Sequence, residues 1–219
     1  MRSDCRHTLA ALLLAVAACA AGGCGLPNLL VYPFAEREAT RQVAHEYHLT
    51  AERLLILPFA GHDVLFEYPG APLDISYQVI GQIQRYGDVR VRRVINPQQV
   101  ALYQQSNLDW PNKLVAQIGR EFQADKVLYI ELNRYTMMEE GSANLYRGRI
   151  SAHLQVVDPK AEGRLPLYET DVSVTVPEDQ PAGVMDVSED KLRQAAMFRF
   201  AEALVWKFVD HEEKVVKGK

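Results

Sequence analysis

Three groups of side chains in this chain have the residue types that chemistry uses. His45, Glu46 and His48 bring metal-ligand types together, with His62 or Asp63 as a third ligand. A zinc site wants two His at i and i+3 or i+4 plus a ligand from elsewhere. The H-E-x-x-H arrangement is absent, so His45 and His48 are weak candidates and the expectation is no metal and no cofactor. His62-Asp63 follows an apolar run and is a place for hydrolysis or ligand binding, or simply a polar loop with a turn-forming Asp. Hydrolysis would need a nucleophile, yet no G-x-S-x-G occurs and all three cysteines lie at or before residue 24. A glycine loop leading to Lys-Ser or Lys-Thr is also missing. The third group is a row of cations, Arg134, Arg147, Arg149 and His153. On one wet sheet face they would dock an acidic partner or an anionic polymer, or form an ordinary solvated surface. The acidic pair Glu139-Glu140 reads as a solvated hairpin turn. The chemistry expected is therefore non-enzymatic.

The elements that hold these residues follow from periodicity. Residues 36–48 read as a polar helix with a thin stripe through Ala39, Val43 and Tyr47. RLLILPF at 53–59 is a continuous apolar run, the mark of a strand buried on both faces. Residues 60–72 are rich in Gly and Pro and read as a loop. Ile75, Val79, Ile80 and Ile83 recur at helical spacing over 74–86, and residues 88–95 alternate as an Arg-bearing edge strand. Asn96-Pro97 starts a helix through about Gln105; Asp109 opens another, with Leu114, Val115, Ile118 and Phe122 on its core side. KVLYIELNRYTMM at 126–138 is the second buried strand. YRGRISAHLQVVD alternates with period two, Tyr146, Ile150, Ala152, Leu154 and Val156 inward, and residues 165–176 repeat the pattern. Ser188 and Glu189-Asp190 start a long final helix through Met197, Phe200, Ala201, Leu204 and Phe208. Its apolar arc widens to Phe198, Val205, Trp206 and Val209, from burial within the domain or as a contact for a second subunit.

The order β-α-β-α-β, then β-β and a helix, predicts an α/β (α+β) fold. It is a mixed five-stranded sheet of order 2-1-3-4-5 with two crossovers, an antiparallel meander and a long carboxyl-terminal helix. In such a sheet the switch point lies near residues 60–63 and the end of the third strand.

The first residues carry an address. Arg2 and Arg6 precede an unbroken apolar run from Leu9 to Ala21, then Gly22-Gly23-Cys24. This is a secretory leader ending at a cysteine whose thiol and freed amine can be acylated, palmitate being one such chain. Val16-Ala17-Ala18-Cys19 is the better local lipobox. Cleavage at Cys24 is favoured because it leaves no free thiol behind, whereas Cys19 would strand Cys24. The expected domains are 1–23 leader, 24–50 anchor, tether and short helix, 51–212 one α/β domain, and 213–219 basic tail. The apolar stretch 25–35 is expected to pack partly on the domain. With a formal charge of −4 over 219 residues, a nucleic-acid partner is not expected. Neither Cys19 nor Cys24 is followed by Asp, which points to a periplasm-facing outer-membrane site.

From RLLILPF through VRRVINPQQVALYQQ to IGREFQADKVLYIEL and QVVD, residues 53–176 resemble a known α/β domain. It is shared by the curli-secretion lipoprotein (CsgG-like) family and the amino-terminal domain of the Tol-system protein TolB. Ala124-Asp125 is the closest local match. The start is also similar to that of uncharacterised planctomycete-type lipoproteins. The resemblance implies envelope location and protein–protein assembly without catalysis. The amphipathic membrane hairpins of that family's pore formers have no counterpart here. The expected partners are thus the membrane, through the lipid, and an envelope protein or further copies of the chain. A small-ligand or hydrolytic role at 60–63 is the alternative.

Mass spectrometry of the mature protein should find an acylated Cys24 as its first residue. Cys24→Ser should abolish incorporation of labelled palmitate, and Cys19→Ser should not.

Overall fold

The computed structural model describes residues 40–86, 89–161 and 165–214. The lipidation candidates Cys24 and Cys19, and the stretch 25–35, lie outside the described residues. Residues 42–212 form one compact unit; a second comprises residues 1–41 and 213–219. Thr40–Val43 (β1) and His211–Lys214 (β8) pair as a two-stranded ribbon.

The main sheet runs β3-β2-β4-β5-β6, with β2 at Thr50–Ala60, β3 at Arg90–Val94, β4 at Lys126–Met138, β5 at Leu145–Val157 and β6 at Tyr168–Val176. This is the expected five-strand order; the two-residue β7 (Ala182–Gly183) adds a short pairing to β5. β3 and β4 both pair β2 in parallel, while β5 and β6 continue antiparallel. Parallel neighbours need crossovers, which here contain α1 (His62–Glu67) with α2 (Ala71–Arg85), then α3 (Pro97–Ser106) with α4 (Val115–Glu121). The first runs from β2 to β3 and the second back from β3 past β2 to β4, so crossovers of one hand put their helices on opposite faces.

That arrangement explains the unbroken apolar runs. Leu54 and Ile56 belong to the core that also holds Ile75 and Val79 of α2. Leu55 and Leu57 belong to a second core with Val100 of α3 and Ile118 of α4. All four leucine and isoleucine side chains are at most 1% exposed, which removes apolar area from water on both faces. The long helix α5 (Glu189–Trp206) lies on the α2 side and closes the larger core with Phe200, Ala201 and Leu204. Its start is as the sequence implies: the Ser188 hydroxyl accepts from the Lys191 N–H, with Glu189 and Asp190 in the first turn. Most of the wide apolar arc is buried inside the domain, while Phe198 stays 37% exposed. Val205 and Val209 are at most 1% exposed, and the Trp206 indole N–H donates to Tyr86 Oη at 3.0 Å.

Three local expectations are overturned. Residues 40–48 are not helical: β1 is followed by an irregular segment whose polar groups clasp the end of α5. The Glu46 and Tyr47 N–H groups donate to the Lys207 carbonyl at 2.9 and 3.0 Å, satisfying an acceptor that a helix end leaves unpaired. Lys207 Nζ reaches Glu46 at 2.6 Å, the Tyr168 hydroxyl donates to the same carboxylate at 2.5 Å, and the Tyr47 ring stacks on Tyr168. Residues 62–67 form α1 rather than loop. Asp109 precedes only a 3-10 turn, Trp110–Asn112, and α4 starts at Val115, leaving Leu114 55% exposed.

Close approaches at two glycines tighten the layers. A Cβ on Gly119 of α4 would lie 2.5 Å from Pro159 Cγ and 2.6 Å from Val127 Cγ2. A Cβ on Gly148 of β5 would lie 2.9 Å from the Ala196 methyl of α5. Helix propensity favours alanine over glycine by about 1 kcal/mol, but the proline ring and the strand valine at Gly119 cannot swing away. Gly119→Ala should therefore destabilise by about 1–3 kcal/mol, read as a lower urea midpoint at unchanged slope.

Candidate functional site

β2 outruns its edge neighbour. Their register ends at Leu54 opposite Val94, while β2 continues to Ala60. Ile95 N–H closes the next position by donating to the Leu54 carbonyl at 2.9 Å. Beyond it, the protruding end carries Pro58, which has no N–H to leave unpaired. The Gln104 side-chain amide donates to the Pro58 carbonyl at 2.8 Å. The edge is thus satisfied without a strand beside it.

The space that β3 leaves becomes a groove of about 440 Å³ at the carboxyl end of β2. Its floor is Pro58, Phe59 and Ala60. One wall is Pro69, Gly70, Pro72, Leu73 and Ser76 at the start of α2, with Leu65 of α1. The other is Val100, Ala101, Gln104 and Gln105 of α3, continued by Leu108, Trp110 and Pro111. No lining residue is Asp, Glu, His, Lys, Arg or Cys. Ser76 is turned away from ligand duty, since its hydroxyl donates to the Pro72 carbonyl at 2.9 Å. Trp110 meets Phe59 edge-to-face with ring centroids 5.8 Å apart, which stiffens one end. Apolar side chains also project beside it: Leu65 is 41% exposed, Phe66 84% and Leu108 87%.

The expected switch point lies between the ends of β2 and β4; the groove opens instead on the β3 side of β2, and no β4 residue lines it. His62 and Asp63 are exposed on the first turn of α1 and do not line it. The His62 ring stacks instead on Phe66, with centroids 6.3 Å apart. Leu65, Leu108 and Trp110 were not singled out by sequence. Their signal was an excess of apolar residues in segments too short and proline-rich to be core helices.

The other sequence candidates are placed as follows. His45 and His48 have ring centroids 5.3 Å apart, but His45 uses Nδ1 on Asp210 at 2.8 Å, and its N–H donates to the same carboxylate at 2.9 Å. Those two bonds hold the Asp210 carboxyl below its usual range. No grouping of three or more His, Cys, Asp or Glu suited to a metal occurs among the described residues.

The cation row does lie on the sheet face opposite α5, yet each cation has an acidic partner. Arg149 meets Glu139 at 2.7 Å and Arg147 approaches the same carboxylate at 3.7 Å. Arg134 pairs with Glu140, and His153 Nδ1 lies 2.9 Å from Asp171. Arg147 also donates to the Pro177 and Glu178 carbonyls. The reading of Glu139-Glu140 as a solvated turn is corrected: the Glu139 side chain is 19% exposed and serves as a counter-ion. A free cationic face is corrected with it, because mutual neutralisation leaves no concentrated positive field.

The Arg149 hydrogen bond, with both guanidinium charges, holds the Glu139 carboxyl below its ordinary value. A carboxyl depressed by folding contributes stability above its unfolded pKa, and that contribution fades as pH falls through the folded value. Glu139→Gln should therefore lower the unfolding midpoint at neutral pH. It should also flatten the loss of stability below about pH 5, measured by urea melts across pH.

No family model and no curated protein matches this chain. Solved structures with a similar arrangement include the PelC dodecamer from Paraburkholderia phytofirmans. It is 10% identical over 79% of this chain and 98% of that one, with a TM-score of 0.44. Lipoprotein GNA1162 from Neisseria meningitidis is 15% identical over 65% of this chain and 91% of its own, TM-score 0.44. Protein XCC0632 from Xanthomonas campestris is 12% identical over 73% and 84%, TM-score 0.46.

Proposed function

We propose that this chain is a lipid-anchored protein of the bacterial cell envelope that works by binding other proteins. It would face the periplasm from the outer membrane and carry no catalytic site or cofactor. The observation that carries the binding reading is the uncharged groove at the carboxyl end of β2, lined in part by exposed Leu65 and Leu108. Monomeric surfaces rarely leave contiguous apolar patches of this kind without a contact to make. The anchored reading rests on the leader and its terminal cysteine. The resemblance of residues 53–176 to CsgG-like and TolB amino-terminal domains points the same way.

The chain enters the domain at residues 45–49, clasped to the end of α5, and β2 then carries it from Leu49 to Pro58. At ~3.3 Å per residue the groove lies about 30 Å from that entry. Uncharged walls act by excluding water from apolar side chains, which is a binding role. A second reading, a small apolar ligand in the same recess, is favoured by its 440 Å³, within the ~300–1,000 Å³ span of ligand clefts.

Crosslinking and pull-down from membranes of cells carrying the native protein should recover one specific partner. The yield should drop at least about fivefold with Leu65→Ser and Leu108→Ser together, both exposed positions that leave the core intact. Recovery of no specific partner, together with turnover of a small molecule by the purified chain, would overturn the reading.

A further inference from the structure

We propose that the groove receives a basic amphipathic segment of the partner, apolar side chains in the recess and Lys or Arg over its rim. This rests on the protein-binding reading and names the partner's chemistry. Charge decides between the possible occupants. Four carboxylates flank the lining residues in sequence: Asp63 and Glu67 around Leu65, Asp74 beside Leu73, and Asp109 between Leu108 and Trp110. None of the four forms an ion pair among the described residues.

Asp74 stands close to the lining. One of its oxygens stands 3.5 Å from where a Cβ on the groove residue Gly70 would be. Asp63 and Glu67 are two residues from Leu65 and so occupy the far side of α1. That is a helix diameter of about 10 Å, roughly one Debye length at physiological salt. The cation close in sequence, Lys113, is held by Tyr103 at 3.1 Å and Glu121 at 3.6 Å and also interacts electrostatically with Asp109. The apolar recess is therefore flanked by Asp63, Glu67 and Asp74, none of them in an ion pair among the described residues, and by Asp109, whose charge Lys113 partly offsets.

Other occupants gain nothing from these carboxylates. A second copy docking the same patch would bring the same carboxylates face to face. The apolar stretch Leu26–Phe34 of this chain has no charge at all, and an acyl chain has none in its tail. A segment with Leu or Phe anchors flanked by Lys or Arg uses both features. Its apolar burial supplies the affinity, and the carboxylates supply selectivity and speed of encounter. The proline at the exposed edge of β2 and the Gln104 cap exclude strand addition there, so the anchors must come from side chains.

The test uses the full chain in phosphatidylcholine nanodiscs, with empty nanodiscs as the blank. Fluorescein-labelled peptides share one Leu-Phe-Leu-Leu core and differ only in flanks of Lys, Glu or Ser. The Lys-flanked peptide should bind at least about tenfold more tightly than the Glu-flanked one, and the gap should narrow as salt rises. Asp74→Asn with Asp109→Asn should narrow it by several-fold while leaving the Ser-flanked peptide unchanged. Leu65→Ser with Leu108→Ser should weaken all three. Equal binding of the three peptides, or a gap indifferent to salt in the unaltered protein, overturns the proposal. So does tighter binding of a peptide copying Leu26–Phe34, of a fluorescent fatty acid, or of the chain to itself. A partner whose capture survives the leucine substitutions refutes the groove assignment and leaves the protein-binding reading standing. Failure to capture any partner removes both.

Discussion

The pairing of β2 with β4 is the constraint on which the molecule is built. Seven residue pairs from Leu54–Lys126 to Ala60–Leu132 join them in parallel, and parallel strands cannot be linked by a tight turn. Each neighbour of β2 must be reached by a helical crossover, and one hand of crossover sends the helices to opposite faces. Burial of Leu54 to Leu57 on both faces follows from that topology. The start of β4 is pinned by the same junction. The Asp125 carboxylate accepts the Arg53 N–H at 3.1 Å, and its own N–H donates to the Arg53 carbonyl at 2.8 Å. Gln123, at φ 52°, turns the chain out of α4 just before it.

The two halves of the sheet then differ in kind. Its parallel half is covered on both faces, by α2 on one and by α3 and α4 on the other. The antiparallel half is covered by α5 alone, so its other face meets water and carries the ion pairs of Arg149, Arg134 and His153. A register shift between Leu132 and Arg134 lets β4 serve both halves. Leu128, Ile130 and Leu132 face the larger core before it, and Tyr135 and Met137 after it. The extra residue reverses the alternation so that the inward set stays inward.

Much of this was legible because it depends on short-range periodicity. The period-two pattern of β5 identified Ile150, Ala152, Leu154 and Val156, all at most 1% exposed. The Asn96 and Ser188 caps bond as their residue types imply, accepting from the Gln98 and Lys191 N–H groups. What sequence missed has long-range causes. Residues 40–48 look helical in spacing, but their N–H groups find the Lys207 carbonyl some 160 positions away, and that tertiary bond outweighs local propensity. Glu139 looks like a turn residue until the hairpin brings Arg147 and Arg149 beside it.

The candidate site divides the same way. Strand order gave only the neighbourhood, since the switch point of a 2-1-3 arrangement falls between β2 and β4, whereas the groove opens on the β3 side of β2. Residue types at 60–63 suggested His62 and Asp63, which face solvent on α1. The walls came from Leu65, Leu73, Gln104, Leu108 and Trp110, spread over 45 positions and gathered only because β3 stops at Val94 while β2 runs on to Ala60. Composition and periodicity thus determined the strand order and both cores, because each follows from neighbours a few residues apart. The groove and the neutralised cation row were decided by the tertiary structure. Relative strand lengths and ion pairs across a sheet depend on residues that meet only once the chain is folded.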